Sequence, residues 1–219
     1  PLSTARNGRS MKPLRQASPA EPCRQRLWSA LPTPLPVSMN TPWSRPCAAT
    51  AGPGSAVADL YAAFLIDEVK PFIDSTYRTL VDASHTAVIG SSHGGLVSLY
   101  LGIRHPGIFG AVGAVSPSLS WGNHWLTNYV RHLHGLPKNL RVWIDMGTAE
   151  DAVDRNGNGV SDLIDDVQEM RDLLLSRGYE PDRVELMIAE GAVHNEAAWA
   201  KRLPQILEFI CRPWHGAAR

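Results

Sequence analysis

Residues 86–95 read TAVIGSSHGG, an apolar run that stops abruptly at a serine set between glycines. Thr86 to Ile89 have the length and branching of a short buried strand. Gly95-Leu-Val-Ser-Leu-Tyr-Leu-Gly-Ile-Arg-His105 reads as a helix, closed by Pro106-Gly107. Between them Gly90-Ser91-Ser92-His93-Gly94 fits G-x-S-x-G with Ser92 at its centre. The motif alone is weak, because a plain glycine-rich turn would match it. Its place after a strand and before a helix is what a nucleophile elbow requires. A serine on so tight a bend leaves no room for neighbouring Cβ atoms, which is why glycines flank it. The bend would lift the Ser92 hydroxyl above the sheet. It would also set the His93 amide at a helix N-terminus, facing a developing oxyanion.

Outward from this stretch the chain alternates. Val57, Leu60, Tyr61, Phe64, Leu65, Val69 and Phe72 recur at helical spacing, with Pro71 bending or ending the helix. Strands are expected at 110–115, 141–146 and 184–189. An amphipathic helix is expected at 162–177, stopped by Gly178, and a last helix at 196–210, kinked at Pro204. Strands too apolar to face water, alternating with helices, predict an α/β fold: a mostly parallel sheet with helices on both faces, and ligands at the strand C-termini.

Residues 1–55 differ in character. They are crowded with Pro, Arg and Ser and show no sustained periodicity. The expected organisation is an irregular, disordered leader over 1–55 and one domain over 56–219. No charged n-region leads into an apolar h-region, so the expected location is cytoplasmic. Met11 could be an internal start. The 219 residues suffice for one sizeable core. Lys+Arg and Asp+Glu are 21 each, which gives no electrostatic reason for a nucleic-acid partner. No run of about 18 apolar residues exists, so no membrane partner is expected either. Cys23, Cys47 and Cys211 show no CxxC spacing and are expected to be free thiols in a reducing compartment.

A serine hydroxyl needs a base to take its proton. His194, in the loop of GAVHNEAAW, follows a late strand and is the expected base. His105 falls at a helix C-terminus, a common structural place for imidazole, and His132, His134 and His215 fit worse. The acid should lie at the end of the preceding strand to orient the imidazole. WIDMGTAED supplies Asp145, inside the strand, and Glu150 and Asp151 beyond its end. Glu150 is preferred, with Asp151 as the alternative.

Four segments taken together carry a resemblance: YAAFLIDEVKPFIDSTYRTL, IGSSHGGLVSLYLGIRHPGIFGAVGAVSPSLSW, IDMGTAED and GAVHNEAAWAKRLPQILEFI. The chain from 57 to about 212 resembles the putative esterase family, the enterochelin-esterase and esterase-D-like branch of the α/β-hydrolases. The resemblance implies a serine ester hydrolase of α/β-hydrolase type with Ser92 as nucleophile and His194 as base. It places the acid in the G-T-x-[DE] segment, at Glu150. It also implies several strands before the long helix and a loop carrying a second oxyanion N–H, and neither is found. Those strands are expected to be missing or replaced by residues 1–55. Loss of one oxyanion donor would cost roughly 3 kcal/mol of transition-state stabilisation.

DRNGNGVSDLID, residues 154–165, has the spacing of an EF-hand-type calcium loop. Asp154, Asn156, Asn158, Asp162 and Asp165 occupy its oxygen positions, Gly159 its sharp turn, and Val160 would offer a carbonyl. The twelfth residue is Asp rather than Glu. A plain Asn/Gly turn capped by Ser161 or Asp162 is the alternative. No cofactor is expected for the chemistry. A structural Ca²⁺ bracing the loop at 147–153 is expected. Trp121 and Trp125 are expected in the loop after the strand at 110–115, and they and Trp199 either pack in the core or rim a cleft for an apolar or aromatic ester group. The expected partner is a small-molecule ester, with short-chain or aromatic acyl groups. The rival expectation is a catalytically silent, calcium-braced binding domain.

Overall fold

The computed structural model describes residues 56–216. The leader expected over 1–55 lies outside the described residues, as do Cys23 and Cys47. Four strands form one sheet: β1 (Ala87–Ser91), β2 (Ala111–Val115), β3 (Arg141–Gly147) and β4 (Val184–Ala189). Their order is sequential, β1-β2-β3-β4, and every pairing is parallel. Parallel neighbours need crossover connections. Here α3 (His93–Arg104), α4 (Trp121–His132) and α5 (Asp162–Ser176) supply them, and α6 (Glu196–Gly216) ends the chain. Before them come α1 (Ala56–Ala63), a π-helical stretch (Phe64–Val69) and α2 (Lys70–Thr76).

Strand residues alternate between two cores because successive side chains point to opposite faces. Val88, Val112, Val142 and Ile144 join Leu99, Leu126, Val167, Met170 and Leu174 from α3, α4 and α5. Ile89, Val115 and Trp143 join Ile206, Phe209 and Ile210 from α6. Both faces of β1, β2 and β3 are therefore covered, which explains their apolar runs, while β4 leaves Glu185 and Ile188 exposed. Gly113 shows how tightly α6 sits. A Cβ there would approach Ile89 at 2.9 Å and Ile206 at 3.2 Å.

Most expected elements stand within two or three residues of their predicted ends. Four findings differ. The apolar face read from Val57 to Phe72 is only partly used: Leu60 is 70% and Phe72 63% exposed, while the small Ala58 and Ala62 are buried. Asp59 accepts the Tyr100 hydroxyl at 2.6 Å and ties α1 to α3. The last helix, α6, runs on to Gly216 rather than ending at 210, with Pro204 inside it. Trp121 and Trp125 lie on α4 rather than in a loop. That helix contains a left-handed turn at Gly122, Asn123 and His124, a conformation no hydrophobic period signals. Cys211 is buried and disulfide-bonded, against the expectation of free thiols. The thiol argument for a reducing compartment falls with it. Among the described residues, no helix is long and apolar enough to cross a membrane.

Candidate active site

β1 ends at Ser91 and α3 starts at His93, so Ser92 alone makes the turn between them, with φ 56° and ψ −122°. A non-glycine residue held there is strained. Several contacts enforce it. The Ser92 amide donates to the Val115 carbonyl at 2.9 Å, at the end of β2. Its carbonyl accepts from the amides of Leu96 and Ser118. A Cβ at Gly90 would lie 2.4 Å from the Gly94 carbonyl oxygen, so the bend closes only with glycine there.

The loops after β3 and β4 run side by side. The Thr148 amide donates to the Ala189 carbonyl, the Ala149 amide to the Ala192 carbonyl, and the Gly191 amide to the Thr148 hydroxyl. These bonds bring Glu150 and His194 together. His194 Nδ1 lies 2.6 Å from Glu150 Oε2, and His194 Nε2 lies 3.0 Å from Ser92 Oγ. With Nδ1–H donating its hydrogen bond to the carboxylate, Nε2 is free to accept the serine proton. Three residues from three strand ends thus form one continuous chain of hydrogen bonds.

The Glu150 side chain has no exposed surface, while that of His194 is 38% exposed. Burial pushes the Glu150 carboxyl up. Hydrogen bonds from His194, Ser116 and the Gly147 amide, with the charge of His194, outweigh it and hold the group below the usual range. His93, beside the nucleophile, is pushed down by burial and by the charge of His194. Its amide opens α3, at the positive end of the helix.

Asp151, the alternative acid, faces away. Its carboxylate is exposed and accepts from the amides of Ala152 and Val153. Asp145 is fully buried, as its place within β3 suggested. Of the three tryptophans, only Trp199 touches the serine–histidine–glutamate group. Its ring meets His194 edge-on at 4.9 Å, and its Nε1 donates to Ser116 Oγ at 3.0 Å. Trp125 stacks on Tyr129 with centroids 5.5 Å apart, and leans on Tyr100. Trp121 packs partly buried against the same core.

Two residues at the site escaped the sequence. Ser116 (φ 43°) follows β2, and Arg202 comes from α6 and is only 4% exposed. The first sits in SPSLSW without a motif of its own. The second reads as one more surface cation of an amphipathic helix. Ser118 is a third neighbour, its hydroxyl 3.4 Å from Ser92 Oγ.

The loop 154–165 is folded on its own polar groups. Asp154 accepts from the amides of Gly157, Asn158 and Gly159, and Asp165 accepts from the side chains of Asn156 and Asn158. Asp162 instead pairs with Arg155 at 2.5 Å. Val160 donates its amide to Asn158 Oδ1. Among the described residues, no three His, Cys, Asp or Glu side chains gather to hold a metal. A cation here would depend on the asparagine and backbone oxygens as well.

Residues 31–210 match the model of a family whose description is "Putative esterase". The chain belongs to the Putative esterase family. The match begins 26 residues before the resemblance read at 57, so it takes in part of the segment set apart as a leader. A relative in Bacillus subtilis (strain 168), the uncharacterized protein YbbA, is 24% identical over 157 residues. Those residues are 68% of this chain and 58% of the relative. Among solved structures, the enterobactin esterase FES from Shigella flexneri superposes with a TM-score of 0.60 at 22% identity, over 77% of this chain and 40% of that one. A ferulic acid esterase superposes with a TM-score of 0.56 at 23% identity, over 69% and 60%. These likenesses establish the α/β-hydrolase-type fold. The chain spans less than two thirds of the length of each of these relatives.

Proposed function

We propose that the protein is a serine carboxylic ester hydrolase that works through an acyl-enzyme. The supporting observation is the hydrogen-bond chain Ser92–His194–Glu150, at 3.0 and 2.6 Å. In the proposed cycle Ser92 Oγ attacks the ester carbonyl while His194 Nε2 takes its proton. Glu150 stabilises the imidazolium, and the His93 amide donates to the oxyanion. His194 then returns the proton to the departing alkoxide. Water, deprotonated by the same imidazole, releases the acid and frees Ser92.

Esters with short or aromatic acyl groups are the proposed substrates. The supporting feature is Trp199, whose ring lies against the His194 imidazole with centroids 4.9 Å apart. The two structural relatives bear the names of a ferulic acid esterase and an enterobactin esterase. A role for Trp121 and Trp125 in holding the acyl group is part of the same proposal; α4 begins three residues after Ser118.

Hydrolysis of p-nitrophenyl acetate, p-nitrophenyl butyrate and methyl ferulate by the full chain and by Ser92→Ala tests the reading. Turnover that disappears in the variant is expected. Background rates from both, with no labelling of Ser92 by a fluorophosphonate, would replace it with the catalytically silent binding domain.

The proposal extends to a structural Ca²⁺ held by Asp154, Asn156, Asn158, Asp165 and the Val160 carbonyl. Asp162 would join only after leaving Arg155. The ion would add rigidity next to the Glu150 loop and take no part in the chemistry.

A further inference from the structure

The acid of the candidate triad is gripped from behind. Glu150 Oε1 accepts from the Ser116 hydroxyl at 2.6 Å and from the Gly147 amide at 2.7 Å. A carboxylate only accepts, so the single Ser116 proton must point at Glu150. Both remaining lone pairs of that hydroxyl are then filled from α6, by Trp199 Nε1 at 3.0 Å and Arg202 Nη2 at 2.8 Å. Ser116 has no rotational freedom left.

Its backbone is fixed as firmly. The Ser116 amide donates to the Asp145 carbonyl and to Asp145 Oδ1, both at 3.1 Å, and these bonds hold it at φ 43°. Asp145 Oδ1 also accepts from Arg202 Nη2 at 2.9 Å, and its Oδ2 from Trp143 Nε1 at 2.8 Å. The side chains of Arg202 and Asp145 are 4% and 0% exposed. A buried ion pair is a costly way to gain stability, and replacing such a pair by apolar groups is often neutral or better. This pair adjoins both Ser116 and the acid, with Arg202 Nη2 3.6 Å from Glu150 Oε1.

We propose that the buried pair Arg202–Asp145, acting through the Ser116 hydroxyl, is the positioning element for Glu150. It keeps the carboxylate ionised and its other oxygen turned to His194. The inference rests on the proposed reading of Ser92–His194–Glu150 and deepens it. The charged and titratable groups facing Glu150 are His194 from the β4 loop, Arg202 from α6 and Asp145 from β3. Removing Ser116 Oγ or the Arg202 charge takes away groups that favour the ionised acid, so both changes should raise the Glu150 carboxyl.

The test follows the Glu150 carboxyl by ¹³C NMR of the glutamate-labelled full chain, assigned by the signal missing in Glu150→Gln. The variants are Ser116→Gly, which a positive φ accepts, Arg202→Lys, and the double change Asp145→Asn with Arg202→Gln. The double change leaves neither charge buried alone. The expected result is an upward move of the Glu150 titration by about half a unit or more in Ser116→Gly and in the double variant. Arg202→Lys should stay nearer the parent. In the ester assay kcat should fall about tenfold or more with KM changed less than about twofold. Should the double variant not fold, Ser116→Gly decides alone. A folded Ser116→Gly chain with the parent's Glu150 titration overturns the proposal. The titration needs no turnover, so a parent that hydrolyses no ester would remove the proposed function while this result still stood or fell by itself.

Discussion

His194 Nε2 lies 3.0 Å from Ser92 Oγ although the two residues are 102 positions apart in sequence. No local preference makes that contact; three parallel strands ending at one edge do. If it is the proton route, His194→Ala should lower kcat by about four orders of magnitude. Glu150→Gln should lower it by about three, because an amide cannot stabilise the imidazolium. The double variant should lose little more than His194→Ala, since residues acting as a unit are not additive. Stopped-flow kinetics with p-nitrophenyl butyrate reads all three, and additive losses would sink the shared-chain picture.

Gly147 carries a prediction of a different kind. A Cβ there would lie 2.2 Å from the Ala192 carbonyl oxygen and 2.8 Å from Glu150 Oε1. Both neighbours belong to the two loops that bring acid and base together, and one is backbone that cannot swing aside. Gly147→Ala should therefore push the β4 loop away and cost about 1–3 kcal/mol of stability. It should also lose activity well beyond what that destabilisation explains. Urea unfolding and kcat on the same sample separate the two effects. Full activity in a destabilised chain would show that the loops tolerate the shift.

Ser92, His194 and Glu150 were legible because each sits just past a strand, in a segment where glycine or a short loop breaks a clear apolar pattern. Parallel strands explain the rest, since they deliver their C-termini to one edge. Ser116 and Arg202 were not legible for a physical reason. Ser116 takes a positive φ that serine rarely adopts, enforced by Asp145 from another strand. Arg202 is buried by tertiary packing on a helix whose sequence would equally suit a solvated arginine. The Trp121–Trp125 segment was misread because a left-handed turn at Gly122-Asn123-His124 hides the helical period across it. The face of α1 misled for the opposite reason, since its small alanines rather than its large apolar residues meet the core.

Stability should follow pH through Glu150. Burial raises its carboxyl, but the hydrogen bonds from His194, Ser116 and Gly147 prevail and hold the folded value below the unfolded one. A depressed folded value means stability that is fully present above the unfolded glutamate range, near about 4.3, and lost as pH falls through the folded value. Glu150→Gln removes that titration. The melting-temperature gap between parent and variant should therefore be largest above about pH 5 and close as the solution is acidified. A gap constant from pH 7 to pH 3 would mean that the carboxylate contributes no ionisation-linked stability. Asp145 runs the other way: burial is the largest influence on it and prevails over Trp143, Arg202 and Ser116, raising its carboxyl. Its contribution is favourable below the unfolded aspartate value and is lost as pH rises through the folded one. The comparison must therefore be made against Glu150→Gln, in which Asp145 remains.

The loop 154–165 provides the last prediction. Asp154 already turns its carboxylate inward to three loop amides, and Asp165 faces two asparagine amides. Ca²⁺ would reverse two of those contacts, flipping Asn156 and Asn158 so that their oxygens rather than their nitrogens face Asp165. Ion binding to the folded chain alone raises its stability by mass action. At a calcium concentration about a hundredfold above Kd that amounts to about 2.7 kcal/mol, several degrees in melting temperature for a domain of this size. Scanning calorimetry should show the rise with Ca²⁺, its loss with EDTA, and no response in Asp154→Ala. Arg155→Ala should bind more tightly, because it frees Asp162 from its ion pair. An equal response in the parent and in Asp154→Ala would locate any calcium effect elsewhere, and no response in the parent would leave a polar turn stabilised by its own side chains.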